Sequence, residues 1–169
     1  MASDHRRRGP RGAILKGIGR VVGLSVVGLC ALTAAGCASV SMDLPDDFLQ
    51  LRTGPHEFKA TTPDDARLWV RQFDDPDEGG LEFWAKALWT DCVESRGYTV
   101  VGEPETVIAS NVAGRVMGFR TTVRGRELGY LIGIWVRPGR ITVAEFCARR
   151  DGWDELAPLV RDAMTTLEF

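Results

Sequence analysis

Thiol groups are the side chains of this sequence whose position most clearly suggests chemistry. Cys37 follows the small residues Ala34-Ala35-Gly36. The two alanines end an apolar run of 15 residues at positions 21–35. A basic segment, residues 1–20, precedes that run. A basic segment, a short apolar core and small residues before a cleavage point are typical of a signal peptide, and the core is too short for a comfortable membrane-spanning helix. The sequence therefore predicts a thiol near the mature N-terminus of an exported protein.

The residues Ala34-Ala35-Gly36-Cys37 resemble the lipobox of bacterial lipoproteins, although Ala34 stands where leucine is commonest. The resemblance implies that the Cys37 thiol takes a diacylglyceryl group and that cleavage makes Cys37 the first residue, whose amine is often acylated as well. Two or more acyl chains hold a protein on a membrane far more firmly than one. Two alternatives stay open, an ordinary secretory signal that leaves a free cysteine and a retained membrane helix.

The chain divides by composition into a signal peptide (residues 1–36), a lipidated tether (residues 37–47) and a single folded domain (residues 48–169). Residues 37–169 contain 15 basic and 22 acidic residues, a formal net charge of −7. This negative net charge argues against nucleic acid as a partner. The partners we expect are the membrane, reached through the lipid anchor, and another protein of the cell envelope.

An antiparallel sheet is the central prediction for the domain. Residues 114–149 hold three runs that alternate at strand period, separated by turn signals at Arg124-Gly125 and Pro138-Gly139. Connections this short make neighbouring strands antiparallel. The middle run, residues 128–136, is apolar on both faces, so we expect cover on both sides of the sheet.

Two helices could supply that cover. Residues 81–96 have an apolar stripe at helical spacing, and Gly97 follows as a left-handed cap. Residues 153–167 predict a second helix, regular only from about Glu155, because Pro158 is tolerated in a first turn and not in a helix interior. Shorter strands are expected at residues 48–52, 57–60 and 66–73, and a strand that starts at residues 98–101, is interrupted at residues 102–104 and continues at residues 106–110 is expected before the meander. The predicted fold class is α+β, an antiparallel meander with one helix before it and one after it, forming an α/β/α sandwich.

This order of elements resembles the PsbP-like superfamily, which includes DcrB-like envelope lipoproteins, over about residues 58–167. The resemblance lies in the pattern of elements and not in a motif. It implies an α/β/α sandwich and an accessory or interaction role, and it implies no functional residue on this chain.

Recognised catalytic and metal-binding motifs are missing from the sequence. His5 belongs to the signal peptide, and His56 stands alone beside Pro55. The acidic stretch at residues 74–80 lacks the register of a calcium-binding loop. We therefore expect no catalytic residue, no cofactor and no metal site. The predicted function is that of a non-enzymatic, membrane-anchored envelope lipoprotein, an accessory or protein-binding module; the alternative is a small-ligand carrier or hydrolase with a pocket between sheet and helix.

Cys92 and Cys147 are the two thiols of the folded domain, in a compartment that favours disulfides. Cys92 lies on the apolar stripe of the first helix, and Cys147 lies at the end of the last strand. They could form a disulfide if that helix packs across the sheet. They could equally remain two thiols that behave as small apolar side chains. The sequence gives no distance between them with which to choose.

Overall fold

Residues 39–169 are described by the computed structural model, and their central element is a seven-stranded antiparallel sheet. The strands are β1 (Leu49–Leu51), β2 (Glu57–Thr61), β3 (Arg67–Asp74), β4 (Thr99–Ala109), β5 (Val112–Val123), β6 (Arg126–Arg137) and β7 (Arg140–Arg149). Their order across the sheet is β1-β2-β3-β7-β6-β5-β4. The predicted signal peptide and Cys37 lie outside the described residues.

The predicted meander is confirmed by β5, β6 and β7. Its two hairpins close at the pairs Val123 with Arg126 and Arg137 with Arg140. Gly125 and Gly139 occupy the turns with positive φ, a conformation that glycine adopts without a steric penalty. Both turn signals in the sequence were therefore interpreted correctly.

Strand β4 runs over Thr99–Ala109 and agrees with the strand expected at residues 98–110, including its interruption at residues 102–104. The register of β4 on β5 shifts between Val101 and Glu105. Such a bulge leaves residues outside the ladder, and it accommodates Pro104, which has no N–H to donate, on this edge strand.

Each face of the sheet has its own core. The middle strand β6 contributes Leu131 and Trp135 to one cluster and Ile132 and Ile134 to the other, and all four side chains are buried. The expectation that this strand is covered on both faces is confirmed. Together with a helix on each face, this gives the predicted α/β/α sandwich.

Helix α1 (Leu81–Thr90) continues into a π-helical turn (Asp91–Ser95) and covers one face through Ala85 and Cys92. Gly97 follows with a φ of 68°, as expected for a left-handed cap. The predicted helix is therefore confirmed, with a wider last turn than an α-helix has.

Helix α2 covers the opposite face and begins earlier than predicted. It runs over Arg150–Ala163 and ends in a 3₁₀ turn, Met164–Thr166, so Pro158 lies in its interior. Pro158 is exposed, which lets water solvate the carbonyl group that loses its hydrogen bond. Trp153 in the early part of α2 packs over Gly129, where an added β-carbon would lie 2.2 Å from the indole ring. Burial of Trp153 explains why the helix extends back to Arg150.

The segment predicted as a tether packs on the domain from its third or fourth residue. Val40 and Met42 are buried in the core on the α2 side, and Ser41 forms a bridge with Glu168. Apolar side chains at alternate positions make this segment an added edge of the domain. The packed domain therefore begins near Val40, earlier than residue 48. Among residues 39–169, no helix is both long enough and apolar enough to cross a membrane.

Candidate functional site

Helix α1 covers only half of the sheet face on which it packs. It contacts β5 and β6, and the cluster beneath it draws on β5, β6 and β7. Within the described residues, β1, β2 and β3 contribute nothing to that cluster. We call the bare area of these three strands on the α1 side the open sheet face. Its outward side chains include Leu49, Leu51, Lys59, Trp69 and Phe73.

One row of paired residues shows where the cover ends. Directly opposed residues on neighbouring strands share a face. From the edge inward the row is Leu51, Lys59, Trp69, Glu145, Ile132 and Met117. Ile132 and Met117 are buried beneath α1, whereas Leu51 is 45% exposed. Beyond the edge of the helix the row alternates charged with apolar side chains, and it reaches solvent at Leu51.

Trp69 is the centre of the open sheet face. The guanidinium carbon of Arg71 lies 3.8 Å from the centroid of its ring, and the Lys59 ammonium group lies 4.4 Å from it. Cations are attracted to the negative face of an indole ring. Two cationic side chains are thus held over one half-buried tryptophan, and Arg71 also reaches the ring of Phe73.

Beside the end of α1 the open sheet face deepens into a groove of about 850 Å³, which we call the arginine groove. Six arginines line it: Arg67, Arg71, Arg96, Arg124, Arg126 and Arg149. Its acidic lining residues are Asp65 and Glu145, and its aromatic ones are Trp69 and Tyr130. A positively lined groove therefore lies on a domain whose net charge is −7.

Three of the six arginines are partly neutralised inside the chain. Arg71 pairs with Glu145, Arg67 with Asp65 and Arg96 with Asp91. The other three form no ion pair with any residue of the described range: Arg124, Arg126 and Arg149. These three define the end of the groove at the β5–β6 turn, and each of them is free of an ion pair within the described residues.

Cys92 and Cys147 are both free thiols in the structure, and the disulfide stays one of the two alternatives that the sequence left open. Cys92 is buried in the π-helical turn that follows α1, and burial raises its thiol pKa to about 11. Cys147 lies opposite Tyr130 in the groove. Burial raises the pKa of the Cys147 thiol and that of the Tyr130 hydroxyl. Both thiols are therefore protonated near neutral pH and poorly suited to nucleophilic chemistry.

Metal-binding geometry is missing from the described range, in which no three His, Cys, Asp or Glu side chains are grouped closely enough to hold an ion. His56 contacts Gln72 at 3.2 Å and is exposed. The acidic loop before α1 has a structural role, since the Asp75 carboxylate accepts a hydrogen bond from the Trp84 indole at 3.2 Å.

No pattern in the sequence predicts the arginine groove. Its arginines come from three strands, one hairpin turn and the end of a helix, and most are far apart in the chain. The only local signal was the alternation of Arg67, Trp69 and Arg71 on one side of β3, which marks a polar face. Pairing of β3 with β7, which brings the rest together, follows from no sequence pattern.

Comparison with known proteins identifies structures of similar fold, but no family model and no curated relative. No protein-family model matches this sequence, and no curated protein matches it. Among solved structures, LpqN, a Mycobacterium tuberculosis protein involved in cell envelope biogenesis, is similar with a TM-score of 0.57 and 13% identity, covering 76% of this chain and 82% of LpqN. Cyanobacterial PsbP (CyanoP) from Synechocystis sp. PCC 6803 gives a TM-score of 0.54 and 12% identity, covering 82% of this chain and 97% of CyanoP.

The chain has the PsbP-like fold. The resemblance of element order noted in the sequence is thereby confirmed at the level of fold. A Bacteroides thetaiotaomicron structure also aligns, but this chain spans only 45% of it, at 16% identity over 78% of this chain, and a TM-score of 0.47 supports no inference. Identities this low carry no functional residue from any of these proteins to this chain.

Proposed function

We propose that this chain is a lipid-anchored accessory protein of the cell envelope that binds a partner protein through the open sheet face. The lipobox-like residues ending at Cys37 support the anchor. The envelope setting gains support from LpqN, a protein of the same fold that is involved in cell envelope biogenesis. Fold alone is an analogy for function, so the proposal depends on the surface itself.

The open sheet face is the observation that carries the proposal. Leu49, Leu51 and Phe73 are 66%, 45% and 42% exposed, and they lie on the same face of the sheet as Trp69. Exposed apolar side chains grouped on one face indicate an interaction surface. Tryptophan and arginine are the residues most enriched in the energetic centres of protein interfaces, and here Arg71 stacks on Trp69.

A carrier or hydrolase with a ligand pocket between sheet and helix has less support. Side chains fill the space beneath α1, among them Met117, Phe119, Ile132 and Ile134. The groove described above lies beside the helix and is lined by charged groups. Small-molecule sites are usually concave and mostly apolar.

Site-specific photo-crosslinking in living cells tests the proposal. A benzophenone amino acid in place of Leu51 should give a discrete crosslinked product on irradiation, because that position lies in the open sheet face. Leu159, on the outer side of α2, is the matched control, since it is 47% exposed against 45% for Leu51.

The expected result is a product of one size from position 51, and from position 73 as a second site in the face, with none from position 159. Equal products from all three positions, or none from positions 51 and 73, would refute the proposal. Mass spectrometry of the specific product identifies the partner.

A further inference from the structure

The distribution of arginines is uneven for a domain of this charge. Residues 39–169 contain 15 basic and 22 acidic residues, yet six of the basic ones line the arginine groove against two acids. Lys59 lines the depression that continues from the groove toward Leu51. Like charges this close repel one another and destabilise the folded state. A bound anionic group would relieve that repulsion.

The size of the combined depression fits an extended chain. It crosses the sheet from β6, at Tyr130, to β1, at Leu51. Four spacings between neighbouring strands separate β6 from β1, which is about 19 Å at the usual ~4.8 Å per spacing. About six residues of extended peptide span that distance, at roughly 3.3 Å per residue.

The lining of the depression changes along its length. At the β6 end lie Arg124, Arg126 and Arg149, which have no ion-pair partner among the described residues. At the β1 end lie Leu51 and the ring of Trp69. Carboxylates complement the first end, and apolar side chains complement the second.

The membrane is a poor candidate for the occupant because of where the chain begins. The N–H of Val40 donates to the carbonyl of Pro55, and Ser41 bridges to Glu168, near the β4–β5 turn at Ser110. Arg124 lies at the opposite end of β5, a strand of 12 residues and about 36 Å. Cys37 lies two positions before Ser39, a reach of at most ~7 Å along the chain. An anchor at Cys37 would therefore leave the arginines at the end of the domain away from the lipid.

We propose that the arginine groove binds an extended acidic segment of the partner protein, with carboxylates on Arg124, Arg126 and Arg149 and apolar side chains on Trp69 and Leu51. This inference rests on the proposed function, and it specifies the chemistry of the partner. Arginine pairs with a carboxylate through two parallel hydrogen bonds, which gives orientation as well as attraction.

Fluorescence anisotropy with synthetic peptides tests the proposal. The full-length protein in a non-ionic detergent is titrated into a labelled decapeptide with five Glu residues in one half and five Leu residues in the other, and into the same peptide with Gln at every Glu. At 50 mM salt, the protein should bind the Glu peptide at least tenfold more tightly than the Gln peptide. The difference should shrink at 300 mM salt, because salt screens exposed charges.

A double variant, Arg126→Gln with Arg149→Gln, locates the binding. Both residues are exposed and form no ion pair within the described range, so the fold should be retained and the melting temperature unchanged or raised. Affinity for the Glu peptide should fall about tenfold. Arg52→Gln is the control, since Arg52 is an exposed arginine outside the groove lining, and it should leave the affinity unchanged.

Four outcomes would overturn the proposal. The first is equal affinity for the Glu and Gln peptides. The second is inorganic phosphate binding at least as tightly as the Glu peptide and with the same dependence on Arg126 and Arg149, which would make the groove a small-anion site. The third is binding to phosphatidylglycerol vesicles, but not to the peptide, that the double variant loses. The fourth is concentration-dependent dimerisation that the double variant abolishes, because the neighbouring cleft contains Asp64, Asp151 and Glu155 and a second copy could fill the groove.

The photo-crosslinking experiment separates this inference from the proposed function. Crosslinks from position 51 that persist without peptide binding would leave the partner-binding role standing and refute the acidic segment. Peptide binding without any crosslink would refute the open sheet face as the site of partner contact. It would leave standing the claim that the groove binds an acidic peptide.

Discussion

The guanidinium carbon of Arg71 lies 3.8 Å from the centroid of the Trp69 ring, while the same guanidinium group pairs with Glu145 on the neighbouring strand. The pair thereby joins β3 to β7 at the boundary between the covered and the bare halves of the sheet. Arginine is suited to both contacts because its planar group stacks and forms directed hydrogen bonds at once.

Arg71→Ala should lower the free energy of unfolding by about 1–2 kcal/mol, because it removes a half-buried stacking contact and leaves Glu145 without its partner. Arg67→Ala is the matched control. Arg67 lies on the same strand and face, but its ion pair with Asp65 is about 70% exposed on both sides, so its loss should cost less than ~0.5 kcal/mol. Urea denaturation followed by tryptophan fluorescence measures both, and equal costs would contradict the expectation.

Ile132→Ala should cost about 2–5 kcal/mol, because it removes a side chain that is 1% exposed from the centre of the cluster beneath α1. Leu159→Ala removes an exposed side chain from α2 and should change the stability by less than ~0.5 kcal/mol. Chemical denaturation of both variants decides the point. A cost near zero at Ile132 would mean that α1 does not pack on the sheet as described.

Cys92 should make the stability of the protein depend on pH in the alkaline range. Its folded-state pKa is raised from the ordinary 9.0 to about 11 by burial, so between these values the unfolded chain ionises the thiol and the folded chain does not. The stabilising contribution is therefore complete below pH 9 and is lost as the pH rises toward 11, on the order of 2 kcal/mol in total.

Denaturation curves at several pH values, for the wild type and for Cys92→Ala, measure this effect. The variant should be less stable at neutral pH and should lose less stability than the wild type between pH 9 and pH 11. Parallel pH profiles for the two proteins would show that Cys92 is not the group responsible.

Alkylation of the denatured, non-reduced protein should modify both Cys92 and Cys147, since both are free thiols in the structure. Peptide mass spectrometry counts the adducts. A protein purified from the cell envelope that carries no adduct at either position, and gains both after reduction, would establish the disulfide that the sequence left open.

Cys37→Ser should abolish metabolic labelling with a palmitate analogue and should release the protein from membranes, because the serine cannot form the thioether to the diacylglyceryl group. Cys30→Ser is the control, since Cys30 lies within the apolar run of the predicted signal peptide and should leave labelling unchanged. Labelling that survives in Cys37→Ser would refute the lipoprotein assignment.

Local patterns predicted most of the elements correctly. Alternation at residues 114–149 gave β5, β6 and β7 with the correct faces, because a buried strand must present apolar side chains at every second residue. The predicted start of α2 was wrong. The rule that excludes proline from a helix interior describes an isolated helix and takes no account of the burial of Trp153 against Gly129. The interruption expected at residues 102–104 of β4 is present as a bulge, which lets the strand continue past Pro104.

The sequence by itself determined the antiparallel meander, the two helices that cover it and the acidic character of the domain, since each depends on local periodicity or on composition. Only the tertiary structure decided that β3 pairs with β7, that α1 leaves β1, β2 and β3 bare, and that six arginines meet in one groove. The physical reason is that strand order and helix coverage arise from contacts between distant segments. A side chain such as Arg67 has the same local pattern whether its neighbour across the sheet is solvent or Cys147.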